Sequence, residues 1–257
     1  APNFAKVCDE YDDGSLWSTM IYKGKNYGIA NPSSVSPMTM VWNKNWLDNL
    51  GLEVPETLEE YEEVLTAFVE DDPDGNGKDD TAGLAERCFG AVFGAYGLRC
   101  VTGNQPGFRV EEMQLGEDNV PFFPYIRPEA KEALATLHDW YEKGILDKEF
   151  ITGENHGGYA WLSHSFMNGR IGLTSAQPSH YLTYSTDTSD KNNWGECFEE
   201  MKGLDPDADI VMGPAPIGPD GKSGTEAWGK LNKLTCLTTQ GASDPRKVDA
   251  FLAMLDA

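Results

Sequence analysis

The chain has 257 residues and carries 20 Lys and Arg against 42 Asp and Glu, a formal charge of −22. With 40 % hydrophobic and 11 % aromatic residues it has the material for a real core, which excludes a disordered chain. Its sign repels phosphate backbones and anionic lipid, which argues against nucleic acid or membrane surfaces as partners.

In chain order, Ala1 to Tyr22 reads as irregular and polar. Lys23-Gly24-Lys25 is a turn signal. Tyr27–Ala30 and Met38–Trp42 read as strands separated by Asn31-Pro-Ser-Ser-Val-Ser-Pro37. A helix is predicted over Lys44–Leu50, stopped by Gly51. Thr57 and Glu60 form a capping box before Leu58, Tyr61, Leu65 and Phe68 at helical spacing. A second clear helix spans Pro128 to Lys143, with Leu134, Leu137 and Tyr141 on one face and Gly144 as its stop. A shorter helix is expected near Tyr159–Asn168, then a strand over Arg170–Thr174. Ser185 to Pro206 reads as a long polar loop, either functional or a surface excursion. Ile210–Met212 and Leu234–Leu237 are further strands, and a last helix opens at Ser243-Asp244-Pro245. Strands alternating with helices give the class α/β. No run of about 18 apolar residues occurs. Ala1 to Glu10 lacks the basic start and apolar stretch of a leader, so the chain reads as cytosolic or as a mature or trimmed secreted product.

The strongest local motif is Asp72-Pro-Asp74-Gly-Asn76-Gly77-Lys78-Asp-Asp80. Side-chain oxygens fall at loop positions 1, 3 and 5 (Asp72, Asp74, Asn76), the Lys78 carbonyl at position 7 and Asp80 at position 9. Gly77 sits at position 6, where a calcium loop of the EF-hand type turns sharply. Position 12 is Gly83, so the bidentate Glu is missing, and Asp79 or a water would have to complete the shell. The expected cofactor is therefore a structural calcium ion that relieves the repulsion of crowded carboxylates. The alternative is an acidic surface turn without metal.

Catalytic constellations are sparse. His138, His156, His164 and His180 stand in no nucleophile elbow, and neither a phosphate loop nor a dinucleotide fingerprint follows a strand. The five cysteines (Cys8, Cys88, Cys100, Cys197, Cys236) have irregular spacing with no zinc-type cluster. Buried thiols are expected, and a Cys88–Cys100 bridge stays open. Trp46 and Trp140 read as core. Trp161, Trp194 and Trp228 lie beside polar, Gly-rich sequence, where a ring either packs or stacks on a sugar.

Five segments, in order, resemble the extracellular solute-binding proteins of family 1, the receptors of ABC importers. They are Tyr22-Lys-Gly-Lys-Asn-Tyr27-Gly-Ile-Ala; Met40-Val-Trp-Asn-Lys-Asn-Trp46 through Pro55-Glu-Thr57; the Asp72–Asp80 loop, which is similar to that of calcium-loop oligosaccharide binders; Phe166-Met-Asn-Gly169-Arg-Ile; and Asp244-Pro-Arg-Lys-Val-Asp-Ala-Phe251-Leu. The resemblance implies an α/β, periplasmic-binding-protein-like type II fold, with this chain an internal piece, mostly the second lobe. It divides the chain into a first-lobe strip and hinge (1–30), a second lobe with the calcium loop (31–216) and a return hinge with a first-lobe strand and helix (217–257). It implies a sugar or oligosaccharide held in an inter-lobe cleft, no catalysis, ABC permease subunits as partners, and an extracellular or periplasmic lipoprotein whose anchor lies outside this chain. Carried-over ligand residues are Ser34, Ser36, Met38, Gln177, Ser179, Tyr181 and Trp228, joined by Trp161 from the aromatic reading. Against this stand a carbohydrate-active enzyme, which would turn its ligand over, and a calcium-stabilised adhesion domain.

Overall fold

The computed structural model describes residues 2–11, 18, 20–32, 36–99, 113–116, 118, 120–150, 163–225, 227–228 and 231–256. They fall into two compact units, Ala1–Ser36 with Ala227–Ala257, and Pro37–Glu226.

The first helix, α1, spans Pro2–Tyr11, where an irregular segment was expected. Phe4, Val7, Cys8 and Tyr11 do recur at helical spacing, but the helix start is capped from the far end of the chain. Asp256 Oδ1 accepts from the N–H of Asn3 at 2.6 Å and of Phe4 at 3.2 Å, a signal that no local motif carries. Strands β1 (Ile21–Tyr22) and β2 (Lys25–Asn26) form a hairpin. Lys23 and Gly24 turn it, both in the left-handed region with φ 50° and 73°, as a tight hairpin turn requires. Strand β3 (Ile29–Pro32) precedes the short β4 (Ser36–Pro37).

The larger unit opens with β5 (Thr39–Asn43). Asn43 caps α2 (Lys44–Leu50) by accepting from the Trp46 N–H, and Gly51 ends it at φ 68°. The capping box of Thr57 and Glu60 forms in full at the start of α3 (Leu58–Glu70). Strand β6 (Ala82–Leu84) and α4 (Phe89–Ala95) follow. Next come the small pair β7 (Gln114–Leu115) and β8 (Pro121–Phe122). Helix α5 covers Pro128–Glu142, α6 His164–Met167 and β9 Ile171–Ala176. The expected long loop instead contains α7, Glu196–Leu204, whose Cys197, Phe198 and Met201 form a buried stripe. Strand β10 (Ile210–Gly213) closes this unit. Strands β11 (Ala227–Trp228) and β12 (Leu231–Thr235), then α8 (Thr239–Ala242) and α9 (Pro245–Leu255), complete the smaller unit. There β12 pairs antiparallel with β3.

The central sheet runs β10-β5-β9-β6. Its first two pairings are antiparallel and the last is parallel. Alternation along β5 sorts the core: Met40 and Trp42 enter one apolar cluster and Val41 the other, as strand geometry demands. The first cluster takes Tyr61, Leu65 and Phe68 of α3, with Ala130, Ala133, Leu137 and Trp140 of α5. Trp42 meets Tyr61 edge-on at 5.0 Å, and Trp46 meets Phe68 at 5.3 Å. The second cluster takes Phe166, Phe198 and Met201 from α6 and α7. Helices on both sheet faces make this a three-layer α/β unit.

Two expectations are corrected. The buried face of α5 is Ala130, Ala133, Leu137 and Trp140, whereas Leu134 is 55 % exposed. The small alanines let α5 lie close to α4, and size complementarity overrides the larger apolar side chain. Cys88 is a free buried thiol whose Sγ lies 3.7 Å from the Leu173 carbonyl, not one half of a Cys88–Cys100 bridge; burial pushes its pKa up. Cys197 is likewise free and buried. Among the described residues no helix is long and apolar enough to cross a membrane.

Candidate functional site

The Asp72–Asp80 loop is a tight nest of oxygens. Asp72, Gly75 and Gly77 all adopt left-handed backbone, with φ 48°, 68° and 76°, which curls the loop inward. The two Asp72 carboxylate oxygens accept from the N–H groups of Asn76 (3.1 Å) and Gly77 (3.0 Å). Asp74 accepts from the Asn76 backbone at 3.1 Å, and the Asn76 side-chain amide donates to Asp74 at 2.7 Å and Asp80 at 3.0 Å. Asn76 Oδ1 accepts from the Lys78 N–H at 2.8 Å. Three carboxylates thus converge on Asn76, Asp72 at its backbone N–H and Asp74 and Asp80 at its side-chain amide, and with Asn76 Oδ1 they offer the all-oxygen donor set that a hard divalent cation takes. The base of the loop is fixed independently, by Asn49 Nδ2 donating to the Pro73 carbonyl at 2.9 Å and by Thr81 Oγ1 donating to the Phe68 carbonyl at 2.7 Å. Gly83, position 12 of the motif, lies within β6. A Cβ there would stand 3.0 Å from the Ile145 carbonyl oxygen, so any side chain in that place would crowd the backbone beside it.

Register places the other predicted residues. Thr39 pairs with Ala176 across β5 and β9, so Met38 and Gln177 emerge at the same end of the sheet. Gly213, opposite Met40, ends β10 there too. The Met38 carbonyl accepts from Thr225 Oγ1 at 2.7 Å. Gln177, half-buried, leads into a 3₁₀ turn, Pro178–His180, that exposes Ser179. Ala82 pairs with Ile171 at the start of β9, so the acidic loop lies at the opposite end of the sheet from Gln177. An ion in the loop would therefore be structural, remote from Met38, Gln177 and Ser179.

Tyr181 is a correction. It is fully buried, packed edge-on against Phe166 at 5.8 Å, and presents no ring to a solute. Its hydroxyl has no hydrogen-bond partner among the described residues. Ser34 and Trp161 lie outside the described residues, as do the side chains of Ser36 and Trp228.

Sequence reading missed one ordered feature at this end. Asn193, 1 % exposed, organises the segment before α7. Its Oδ1 accepts from the N–H groups of Tyr184 (2.7 Å) and Ser185 (3.0 Å), and its Nδ2 donates to the carbonyls of Ser185 (2.9 Å) and Asp187 (2.8 Å). Trp194 Nε1 donates to the Thr188 carbonyl at 2.8 Å, which makes this ring an anchor rather than a free stacking face. Hydrogen bonds from the Ser189 hydroxyl and N–H hold the Asp187 carboxyl below its ordinary range. The result is a fixed loop that displays Tyr184 at 84 % exposure. The only sequence signal for it was the density of Asp, Asn and Ser.

No family model matches the chain. The polygalacturonan/rhamnogalacturonan-binding protein YtcQ of Bacillus subtilis (strain 168) is 29 % identical over 234 residues, 91 % of this chain and 42 % of that protein. The fructooligosaccharide ABC transporter substrate-binding protein FusA of Streptococcus pneumoniae is 30 % identical over 163 residues, 58 % of this chain and 29 % of FusA. Solved structures agree in fold. FusA in complex with kestose gives a TM-score of 0.60 at 21 % identity, covering 97 % of this chain and 47 % of that one. Alginate-binding protein AlgQ2 without calcium ion gives 0.61 at 17 %, covering 97 % and 49 %. An EF-hand mutant of FusA with fructo-nystose gives 0.58 at 21 %, covering 96 % and 47 %. The chain spans less than half the length of these relatives. It is similar in sequence to these saccharide-binding proteins and has the periplasmic-binding-protein-like α/β fold of the solved structures.

Proposed function

We propose that this chain is the sugar-binding portion of a non-enzymatic receptor that delivers an oligosaccharide to an ABC importer. The observation that carries the reading is the match to a saccharide-binding protein across 91 % of the chain. The solute would meet the Met38–Gln177 end of the sheet. There the Gln177 amide and the Ser179 hydroxyl offer paired donors and acceptors of the kind sugar hydroxyls need, and Tyr184 offers a ring face. Of the ligand residues expected from the sequence, Tyr181 drops out because it is buried; Ser34, Ser36 and Trp228 from the resemblance, and Trp161 from the aromatic reading, stay as candidates. We assign the 37–226 unit to the second lobe of a two-lobed receptor, with permease subunits as partners and an extracellular or periplasmic, lipid-anchored location.

Calcium belongs to the same reading. Asp72, Asp74, Asn76, Asp80 and the Lys78 carbonyl would hold it. The ion would neutralise the converging carboxylates and fix the start of β6, at the opposite end of the sheet from the solute. The test is calorimetry with kestose, nystose and oligogalacturonides in calcium-containing buffer. Saturable binding of one of them, weakened at least tenfold by Gln177→Ala, is the expected outcome. Absence of binding to every saccharide class, or affinity untouched by substitutions at Gln177, Ser179 and Tyr184, would overturn the assignment.

A further inference from the structure

The turn Pro178–His180 and the start of α7 approach each other unusually closely. A Cβ on Gly195 would stand 2.4 Å from the His180 carbonyl carbon and 2.5 Å from the carbonyl oxygens of Ser179 and His180. Only glycine permits that approach, and its N–H donates to the Tyr181 carbonyl at 2.8 Å. The contact brings His180 against two neighbours at the start of α7, Glu196 and Cys197. His180 Nδ1 lies 3.0 Å from Glu196 Oε1, and both ligand atoms lie within 4.8 Å of each other and of the Cys197 sulfur.

We propose that His180, Glu196 and Cys197 form a site for a zinc-type divalent cation. The donors are one imidazole nitrogen, one carboxylate oxygen and one sulfur, the mixed set that borderline-soft ions prefer and calcium does not. With neutral imidazole, a carboxylate and a thiolate carry two negative charges, which balance the ion. Glu196 and Cys197 occupy the first turn of α7, the end of a helix whose dipole favours negative charge. Burial is graded as an open metal site requires. Cys197 is fully buried, the His180 side chain 17 % exposed and that of Glu196 65 % exposed. Water then supplies the fourth position. In a tetrahedral zinc centre such donors lie roughly 3.4–3.8 Å apart, so the site forms when the Cys197 sulfur, within 4.8 Å of the other two donors, closes on the ion and the His180–Glu196 pair opens slightly from 3.0 Å. The ion takes the place between nitrogen and carboxylate that the hydrogen bond now fills: the imidazole proton moves from Nδ1 to Nε2, and the thiol proton is released to solvent. Its effect is to clip the turn carrying Ser179 to α7. The inference stands on this cluster alone and does not depend on the sugar-binding reading.

The experiment uses the whole chain with calcium in excess, so that the acidic loop does not compete for added metal. Cobalt(II) should give a near-ultraviolet thiolate band and tetrahedral visible bands at one equivalent. Zinc(II), measured against a chromophoric chelator, should bind with micromolar or tighter affinity. Cys197→Ser should erase the thiolate band. Glu196→Gln and His180→Gln should each lower zinc affinity at least tenfold. Cys236→Ser, at an exposed thiol, should change neither reading. Glu196→Gln keeps the test sound should Cys197→Ser fail to fold, because that side chain is exposed. No thiolate band, zinc affinity equal in Glu196→Gln and parent, or loss of the signal in Cys236→Ser would each overturn the proposal.

Discussion

Asn76 stands at the focus of three carboxylates, and the loop around it concentrates like charges that repel by roughly 1 kcal/mol per pair at about 4 Å even in water. If calcium occupies it, a hundredfold excess over the dissociation constant stabilises the fold by about 2.7 kcal/mol, which raises Tm by roughly 5–10 °C. Chelator should reverse that shift, and Asp74→Ala should remove the response to calcium altogether. Identical melting curves with and without chelator would show that the loop is an acidic turn only. Asn193 presents the opposite case, a residue whose importance lies in its burial. Asn193→Ala leaves backbone groups of Tyr184, Ser185 and Asp187 without partners and should cost about 2 kcal/mol. Tyr184→Ala, at an 84 % exposed ring, should leave denaturant midpoints unchanged. Chemical denaturation of the two variants side by side separates scaffold from display.

Elements whose ends are set by local chemistry follow their sequence signals. Thr57 accepts from the Glu60 N–H, and the Glu60 carboxylate accepts from the N–H groups of Thr57 and Glu56, both at 2.9 Å. Thr57→Ala should therefore destabilise by about 1 kcal/mol. The same bonds, that from Thr57 first, hold the Glu60 carboxyl below its ordinary value. A depressed carboxylate stabilises fully above its unfolded value, about 4.3, and loses that contribution as pH falls through the lower folded value. The stability gap between the protein and Glu60→Gln should then be widest near neutrality and close below about pH 4. A gap that widens on acidification would contradict the capping box. Helix α1 behaves differently, since Asp256 supplies its cap from 252 or 253 positions away. Helix α7 also escaped a local reading, because its charged run Glu199-Glu200 resembles a loop until Cys197, Phe198 and Met201 find the sheet.

For the whole molecule, the sheet register separates two tasks. The acidic loop leads into β6 at one end, while Met38, Gln177 and the Asn193-braced loop gather at the other. A structural ion can thus hold one end while a solute engages the other. The receptor reading also carries a chemical consequence. Oligosaccharides incubated with the protein should be recovered intact, with no reducing ends released. Hydrolysis abolished by a point substitution near Gln177 would make the chain an enzyme.

Sequence by itself determined what depends on near neighbours. The capping box at Thr57, the stop at Gly51, the start at Asp244-Pro245, the α/β alternation and the ligand spacing of Asp72, Asp74 and Asn76 are each written within a dozen residues, because hydrogen bonds and turn sterics act over that range. Tertiary structure decided the rest. It chose Ala130 and Ala133 over Leu134 as the buried face of α5, since packing responds to the shape of α4. It also turned Tyr181 from a candidate ligand contact into core beside Phe166. Finally, it joined His180 to Cys197, a Cys/His cluster that spacing did not reveal, because a close chain approach at Gly195 exists only once the chain has folded.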